Sequence, residues 1–192
     1  MKLTEQVLEN EHVRLEPLRE VHREALREAA NADLEIWSLY PYSMAGEYFD
    51  GFWTRIQNDR KSGTWIPFAV TVQGRCVGQT CYIRPDPVCR SVDIGSTYYR
   101  PEFRGGAVNP AAKYLLLGHA FACGAQRVQF GVDALNARSR AAMTKLGATQ
   151  EGILRRERVT WTGRMFDRVV FSILSDEWPA VKARLEERLT RP

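Results

Sequence analysis

The sequence predicts an α/β fold with a mixed central sheet, and three observations predict it. Strand-like alternation and helix-like spacing of apolar residues succeed one another along most of the 192 residues. Between 91 and 133 a strand, a helix and a second strand follow in order, the pattern of a crossover connection. The chain is 44% apolar and 26% charged, without a low-complexity segment or an internal repeat. A chain of this size buries roughly 70% of its unfolded surface, so one domain over 1–192 is expected.

Each element has its own signal. In 12–18, Val13 and Leu15 alternate ahead of Pro17 as a first strand, and 19–37 carries Val21, Ala25, Leu26 and Ala29 at helical spacing. Tyr48, Phe49, Phe52, Trp53 and Ile56 form one stripe of a second helix that Ser62 and Gly63 end. Strands over 64–72 and 75–84 are divided only by Gln73 and Gly74, which predicts a hairpin; 91–99 is a third strand after the break at Pro85–Pro87. Asn109 as N-cap and Pro110 at the first helical position start the next helix. The segment 127–133 alternates Val128, Phe130 and Val132, and a short helix over 137–146 closes at Gly147. Two strands around Thr162 and Gly163 form a hairpin, and Ser175 caps a last helix with Pro179 in its first turn.

Several classes are disfavoured. Cys76, Cys81, Cys89 and Cys123 have neither CxxC nor zinc-finger spacing, and the charged start is no signal peptide, so reduced thiols in a cytoplasmic protein are expected. The most apolar run, 114–122, falls far short of the ~20 residues of a membrane span. His12, His22 and His119 have no ligand partners at metal spacing, so no metal is expected. The net charge of +4 divides into −2 over 1–100 and +6 over 101–192, which fits either a solvated basic face or a polyanion site. No nucleic-acid-binding motif accompanies it, so nucleic acid is not the expected partner.

The basic half opens on 103–122, FRGGAVNPAAKYLLLGHAFA. Gly105 and Gly106 let the backbone approach a ligand, and the first turn of the following helix presents unpaired N–H groups at the positive end of its dipole. These features suit a phosphate, and they suit an ordinary strand-to-helix turn equally; no P-loop or dinucleotide fingerprint decides between them. A second strand-to-helix turn follows at 130–148, FGVDALNARSRAAMTKLGA, where Asn136 and Ser139 share the first turn of the short helix, Asn136 being readable also as its N-cap. Two helix N-termini after adjacent strands of one crossover can face a single ligand.

The run from DIGSTYY (93–99) through NARSRAAMTKLGA (136–148) to EGILRR (151–156), with HVRLEPL (12–18), resembles the GNAT N-acetyltransferases over nearly the whole chain, in the branch resembling ribosomal-protein alanine N-terminal acetyltransferases. The resemblance implies a GNAT fold with a mixed sheet of about seven strands flanked by helices, and acetyl-CoA as acyl donor in a V-shaped opening between 93–99 and 127–133. It implies that backbone of Ile94, Gly95, Ser96, Thr97, Tyr98 and Tyr99 holds the pantetheine and the thioester carbonyl. Arg104, Gly105, Gly106, Ala107, Val108 and Asn109 would hold the pyrophosphate, Asn136 would contact the pantetheine or the reacting centre, and Ser139 would sit near the thiol. Two positions depart from the family. Ala107 and Asn109 stand where the loop has a glycine and a small residue, so the helix end rather than a glycine cradle becomes the expected anion holder. Met143 stands where many members place the Tyr that protonates the leaving thiolate, which leaves Ser139 or water for that task.

Acetyl transfer needs a neutral amine, donors for the oxyanion and a proton for the sulfur. Deprotonating an α-amine at pH 7 costs about 1 kcal/mol and a lysine amine about 4.6 kcal/mol, so the lack of an obvious buried base favours a low-pKa amine. Glu151, Glu157 and Asp93 are the candidate bases, each also readable as a salt-bridged carboxylate; Glu151 is carried as the catalytic candidate. Arg155, Arg156 and Arg158 are either a solvated strand face or partners for an anion. Trp37, Tyr40, Tyr42 and Trp161 are either core or the lining of an acceptor pocket. The expected function is acetyl transfer to a primary amine, a protein N-terminus or a small molecule, by direct attack in a ternary complex. A catalytically silent CoA-sensing or interaction module is the alternative, and a homodimer is open.

Overall fold

The computed structural model describes residues 1–190. Eight strands form one sheet: β1 (Leu8–Glu9), β2 (Arg14–Pro17), β3 (Trp65–Val72), β4 (Arg75–Asp86), β5 (Ser91–Tyr99), β6 (Arg127–Asp133), β7 (Thr149–Val159) and β8 (Met165–Leu174). Their order across the sheet is β1-β2-β3-β4-β5-β6-β8-β7. Every neighbouring pair is antiparallel except β5 and β6, which are parallel. The helices are α1 (Arg23–Asn31), α2 (Phe49–Lys61), α3 (Val108–Ala122), α4 (Ala137–Leu146) and α5 (Trp178–Thr190). The strand beyond the expected seven is β1, whose two residues are too few to carry a periodic signal.

Both faces of the central strands are buried, so each strand sorts its side chains into two cores. Phe68, Val70, Val77, Tyr82, Val92 and Ile94 pack with Leu116, Leu117 and Ala120 of α3 and Val181 and Leu185 of α5. Ala69, Cys76, Cys81 and Tyr98 turn to Leu26 and Ala29 of α1 and Phe49, Phe52, Trp53 and Ile56 of α2. Tyr48, expected on the α2 stripe, precedes the helix and is exposed.

Three local expectations are corrected. The helical pattern over 19–37 breaks into a 3₁₀ turn at Glu20–His22, α1, and a second 3₁₀ turn at Glu35–Leu39, leaving Val21 exposed. Helix α3 begins at Val108 with Ala107 in the cap position, so Asn109 is not its N-cap and Pro110 is its third residue. Proline fits there because the N–H groups of a first helical turn have no intrahelical acceptor anyway. Ser175 does not cap α5; its hydroxyl donates to the Gln126 side-chain oxygen at 3.1 Å.

Two irregularities shape the centre of the sheet. β5 and β6 pair only through Ser91–Arg127, Val92–Val128 and Asp93–Gln129, after which β5 stays with β4 and β6 with β8, and a wedge opens between them. On β5 the register against β4 steps from Gly95–Cys81 to Tyr98–Gln79, one residue more on β5 than on β4. This is a β-bulge, and Ser96 within it has φ +51. The extra residue reverses the alternation: Ile94 faces the α3 core while Tyr98, four residues on, faces the α1/α2 core. Opposite the bulge a Cβ on Gly78 would lie 1.9 Å from the Tyr98 carbonyl oxygen, so only glycine lets the strands approach there.

Candidate active site

The wedge opens into a cavity of about 750 Å³. Its walls are Ile94, Gly95, Ser96, Thr97 and Tyr99 of β5, Phe130–Asp133 of β6, Arg104–Gly106 and Asn109 of the loop and first turn of α3, and Asn136, Arg138, Ser139 and Met143 at α4. Tyr40 and Tyr42 reach it from the loop after α1, beside Arg55 and Trp65.

The bulge is held from behind by side chains. Gln79 Nε2 donates to the Ser96 carbonyl at 3.2 Å and to Ser96 Oγ at 2.7 Å, while the Tyr40 hydroxyl donates to the Thr97 carbonyl at 2.6 Å. Tyr42 Oη hydrogen-bonds Ser96 Oγ. Burial pushes the Tyr40 phenol up to about 12 and raises Tyr42 as well, so both remain protonated at neutral pH. The guanidinium of Arg55 lies 4.4 Å over the Tyr42 ring and 5.5 Å from Trp65, with no carboxylate partner among the described residues.

Two helix N-termini border the cavity. At α3, Gly105 has φ +83, and side chains added at Gly105 or Gly106 would meet open space. Arg104 is anchored by Nε to the Tyr99 carbonyl at 2.7 Å and by Nη1 to Asp33 at 2.5 Å. Its buried Nη2 has no hydrogen-bond partner among the described residues, a donor an anionic ligand would satisfy. Ala107 and Val108 do not line the cavity. At α4, Asn136 is the N-cap, accepting from the Ser139 N–H at 2.9 Å, which leaves Asn136 Nδ2 and Ser139 Oγ without partners among the described residues. A donor set of backbone amides, amide side chain, hydroxyl and guanidinium fits the pyrophosphate and amides of a CoA thioester.

Other expected site residues lie elsewhere. The Tyr98 side chain turns from the cavity, donating to the Ala29 carbonyl at 2.6 Å and stacking 4.7 Å from Trp37. Trp37 is fully buried, with Nε1 donating to the Ala30 carbonyl. Trp161 stands outside the cavity and works as a clip: its Nε1 donates to the Trp37 carbonyl at 2.9 Å and its N–H to the Pro41 carbonyl at 3.2 Å. The hairpin between β7 and β8 thereby holds the loop that carries Tyr40 and Tyr42. Glu151 is also off the cavity. The bidentate Arg127 guanidinium and the Ser172 hydroxyl hold its carboxyl down at about 2, so it is an ion-pair residue and not a base poised near neutrality.

Glu157 is paired with Arg158 and Arg168. Asp93 does line the cavity, bound to Arg84 at 2.9 Å and Arg168 at 2.8 Å. Arg168 crosses β6 over Gly131, where a Cβ would lie 2.0 Å from its Nε. Among the described residues no three His, Cys, Asp or Glu side chains gather as a metal site, and all four cysteines are free. Among the described residues no helix is long and apolar enough to cross a membrane.

Asp133, Arg55 and Lys113 are among the cavity residues that the sequence did not single out. Asp133, at the end of β6, is buried against Arg164 and accepts from the Leu135 N–H. Arg55 sits on an exposed face of α2 that its stripe gave no reason to single out. Lys113, a cation within the apolar run of α3, was the available signal: it is 4% exposed.

The acetyltransferase (GNAT) domain model matches residues 12–149. A T. thermophilus protein assigned to the acetyltransferases is 36% identical, with 98% of this chain and 100% of that chain covered and a TM-score of 0.88. A GCN5-related N-acetyltransferase from Brucella melitensis is 28% identical, with 99% and 88% covered and a TM-score of 0.90. Likeness of fold extends to Mycobacterium smegmatis RimJ in complex with CoA-disulfide, 24% identical, with 95% and 92% covered and a TM-score of 0.78. No curated protein matches the chain. A family match over most of the chain, on a sheet that splays beside a bulge between two helix N-termini, places it: the chain belongs to the GNAT acetyltransferase family.

Proposed function

We propose that the protein transfers the acetyl group of acetyl-CoA to a primary amine, a protein N-terminus or a small molecule, by direct attack in a ternary complex. The observation that carries this reading is the wedge itself, where the diverging edges of β5 and β6 and the N-termini of α3 and α4 converge on one cavity. The pyrophosphate is assigned to the 104–109 loop and the α3 N-terminus, with Arg104 Nη2 as an added donor. The edge of β5 at 94–97 that no longer pairs with β6 lies alongside the pantetheine, and Asn136 Nδ2 and Ser139 Oγ face its far end. Tyr40 and Tyr42 border the side from which the amine enters.

The carboxylates of the cavity favour an amine of low pKa. Asp93 and Asp133 are each engaged by arginine, so among the described residues that line the cavity no unpaired carboxylate waits to deprotonate the acceptor. An α-amine needs only about 1 kcal/mol to present its neutral form at pH 7.

The test is thiol release from acetyl-CoA against a panel of peptides with free N-termini and small amines. Asn136→Ala and Ser139→Ala are expected to lower kcat more than they weaken acetyl-CoA binding. Rates equal to wild type would return both residues to helix capping alone, and release on no acceptor would favour a CoA-binding module without turnover.

A further inference from the structure

Lys113 lies five residues into α3, about 7.5 Å along its axis from the helix N-terminus. A buried ammonium is costly unless an anion neutralises it. Among the described residues the one hydrogen-bond partner of its Nζ is the Thr97 hydroxyl at 3.2 Å. The Phe130 ring centroid is 5.7 Å away. Thr97 belongs to the bulge, and Phe130 is the first β6 residue past the last β5 pair, so Nζ stands at the apex of the wedge and on the cavity wall. Titratable groups on the strands packed there do not compensate it. Burial keeps the Cys81 thiol and the Tyr82 and Tyr99 phenols protonated, while Asp93 and Asp133 belong to arginines.

We propose that Lys113 Nζ is the catalytic acid that protonates the departing CoA sulfur. This rests on the acetyl-CoA reading above. The neighbouring candidates are poorer acids: Met143 has no proton to give, and Ser139 offers an aliphatic hydroxyl. Burial lowers the Lys113 ammonium to about 8, close to the ~8.5 of an ordinary thiol, the match that favours proton transfer at neutral pH.

In the step, the acceptor nitrogen forms the C–N bond as the carbonyl π pair moves to oxygen. That pair returns as the C–S bond breaks, and sulfur takes a proton from Lys113 Nζ. The nitrogen loses its surplus proton to solvent and Lys113 regains one from solvent, so amine and thioester become amide and thiol with no other reactant.

The test reads the thiol directly and needs no acceptor. CoA bound to wild type, Lys113→Met and Lys113→Gln is titrated by thiolate absorbance. The wild-type complex is expected to ionise at least about one pH unit lower, a tenfold difference in thiolate population. In wild type alone, the Lys113 ε-carbon resonance is expected to titrate at different pH in complexes with CoA and with desulfo-CoA, which keeps the test open if a variant does not fold. Identical thiol titrations with CoA still bound, or identical Lys113 titrations in the two complexes, overturn the assignment and leave the acetyl-CoA reading standing. Failure of wild type to bind CoA overturns that reading instead.

Discussion

Glu151 on β7 and Arg127 on β6 reach each other across β8, with the Ser172 hydroxyl of the intervening strand donating to the same carboxylate. The carboxyl is lowered from 4.5 to about 2, first by the hydrogen bonds from Arg127. A folded-state pKa below the unfolded value gives stability that is present above the unfolded pKa and lost as pH falls through the folded one. The expected window is therefore from about 4.5 down to about 2. Urea midpoints measured through that window should fall more steeply for wild type than for Glu151→Gln, and parallel curves would deny the pair a role in acid stability. The gain is modest because the carboxylate is about one-third exposed and water screens it. Since Glu151 lies off the cavity, thiol release at neutral pH should be the same in both proteins.

Among the elements, the β5 bulge is where backbone geometry and site coincide. Ser96 has φ +51, a conformation that β-branched residues adopt only with strain, and its hydroxyl joins Gln79 and Tyr42. Ser96→Val adds about 1–3 kcal/mol of backbone strain to the lost hydrogen bonds, whereas Ser96→Gly loses only the hydrogen bonds. Denaturant unfolding should rank wild type above Ser96→Gly and Ser96→Gly above Ser96→Val; equal losses would mean the backbone relaxes at no cost. The bulge also shows where sequence reasoning stops. The alternation through 91–99 announces a strand, but nothing in Ile94-Gly95-Ser96-Thr97 says that one residue is extra, because β4 sets the register through long-range pairing. Gly147 and Asn136 were legible because helix caps are local chemistry. Asn109 misled for the same reason: it is a good cap by type, yet α3 starts at Val108, two residues before the expected first helical position at Pro110. Tyr40 and Tyr42 were legible as aromatics near a site, while Trp37 was not separable from them, since composition does not tell a ring that closes a core from one that lines its edge.

At the scale of the molecule, the charge asymmetry of the sequence acquires a location. Among the described residues nine basic side chains line the cavity against two acidic ones, Asp93 and Asp133, and seven of the nine come from the basic half of the chain. Concave walls of one sign concentrate field on a ligand of the other, and the phosphates of CoA are such a ligand. Arg104, Arg138, Lys145 and Arg188 lie on the loop and helices, whereas Arg84, Arg158 and Arg168 lie on strands. A ligand bridging both sets ties the sheet halves on either side of the wedge and binds only the folded protein. Linkage then requires that acetyl-CoA at a hundredfold excess over its Kd add about 2.7 kcal/mol to stability. In a chain of this size that is a melting-temperature rise of roughly 5 to 10 °C. Because the phosphates supply much of the attraction, the rise at fixed acetyl-CoA should shrink as salt increases and should be smaller with dephospho-CoA, which lacks the 3′-phosphate. A melting temperature unmoved by millimolar acetyl-CoA at low salt would remove the donor from the proposed reaction; a rise indifferent to salt would move the binding energy from the basic wall to the edge of β5 that faces the wedge.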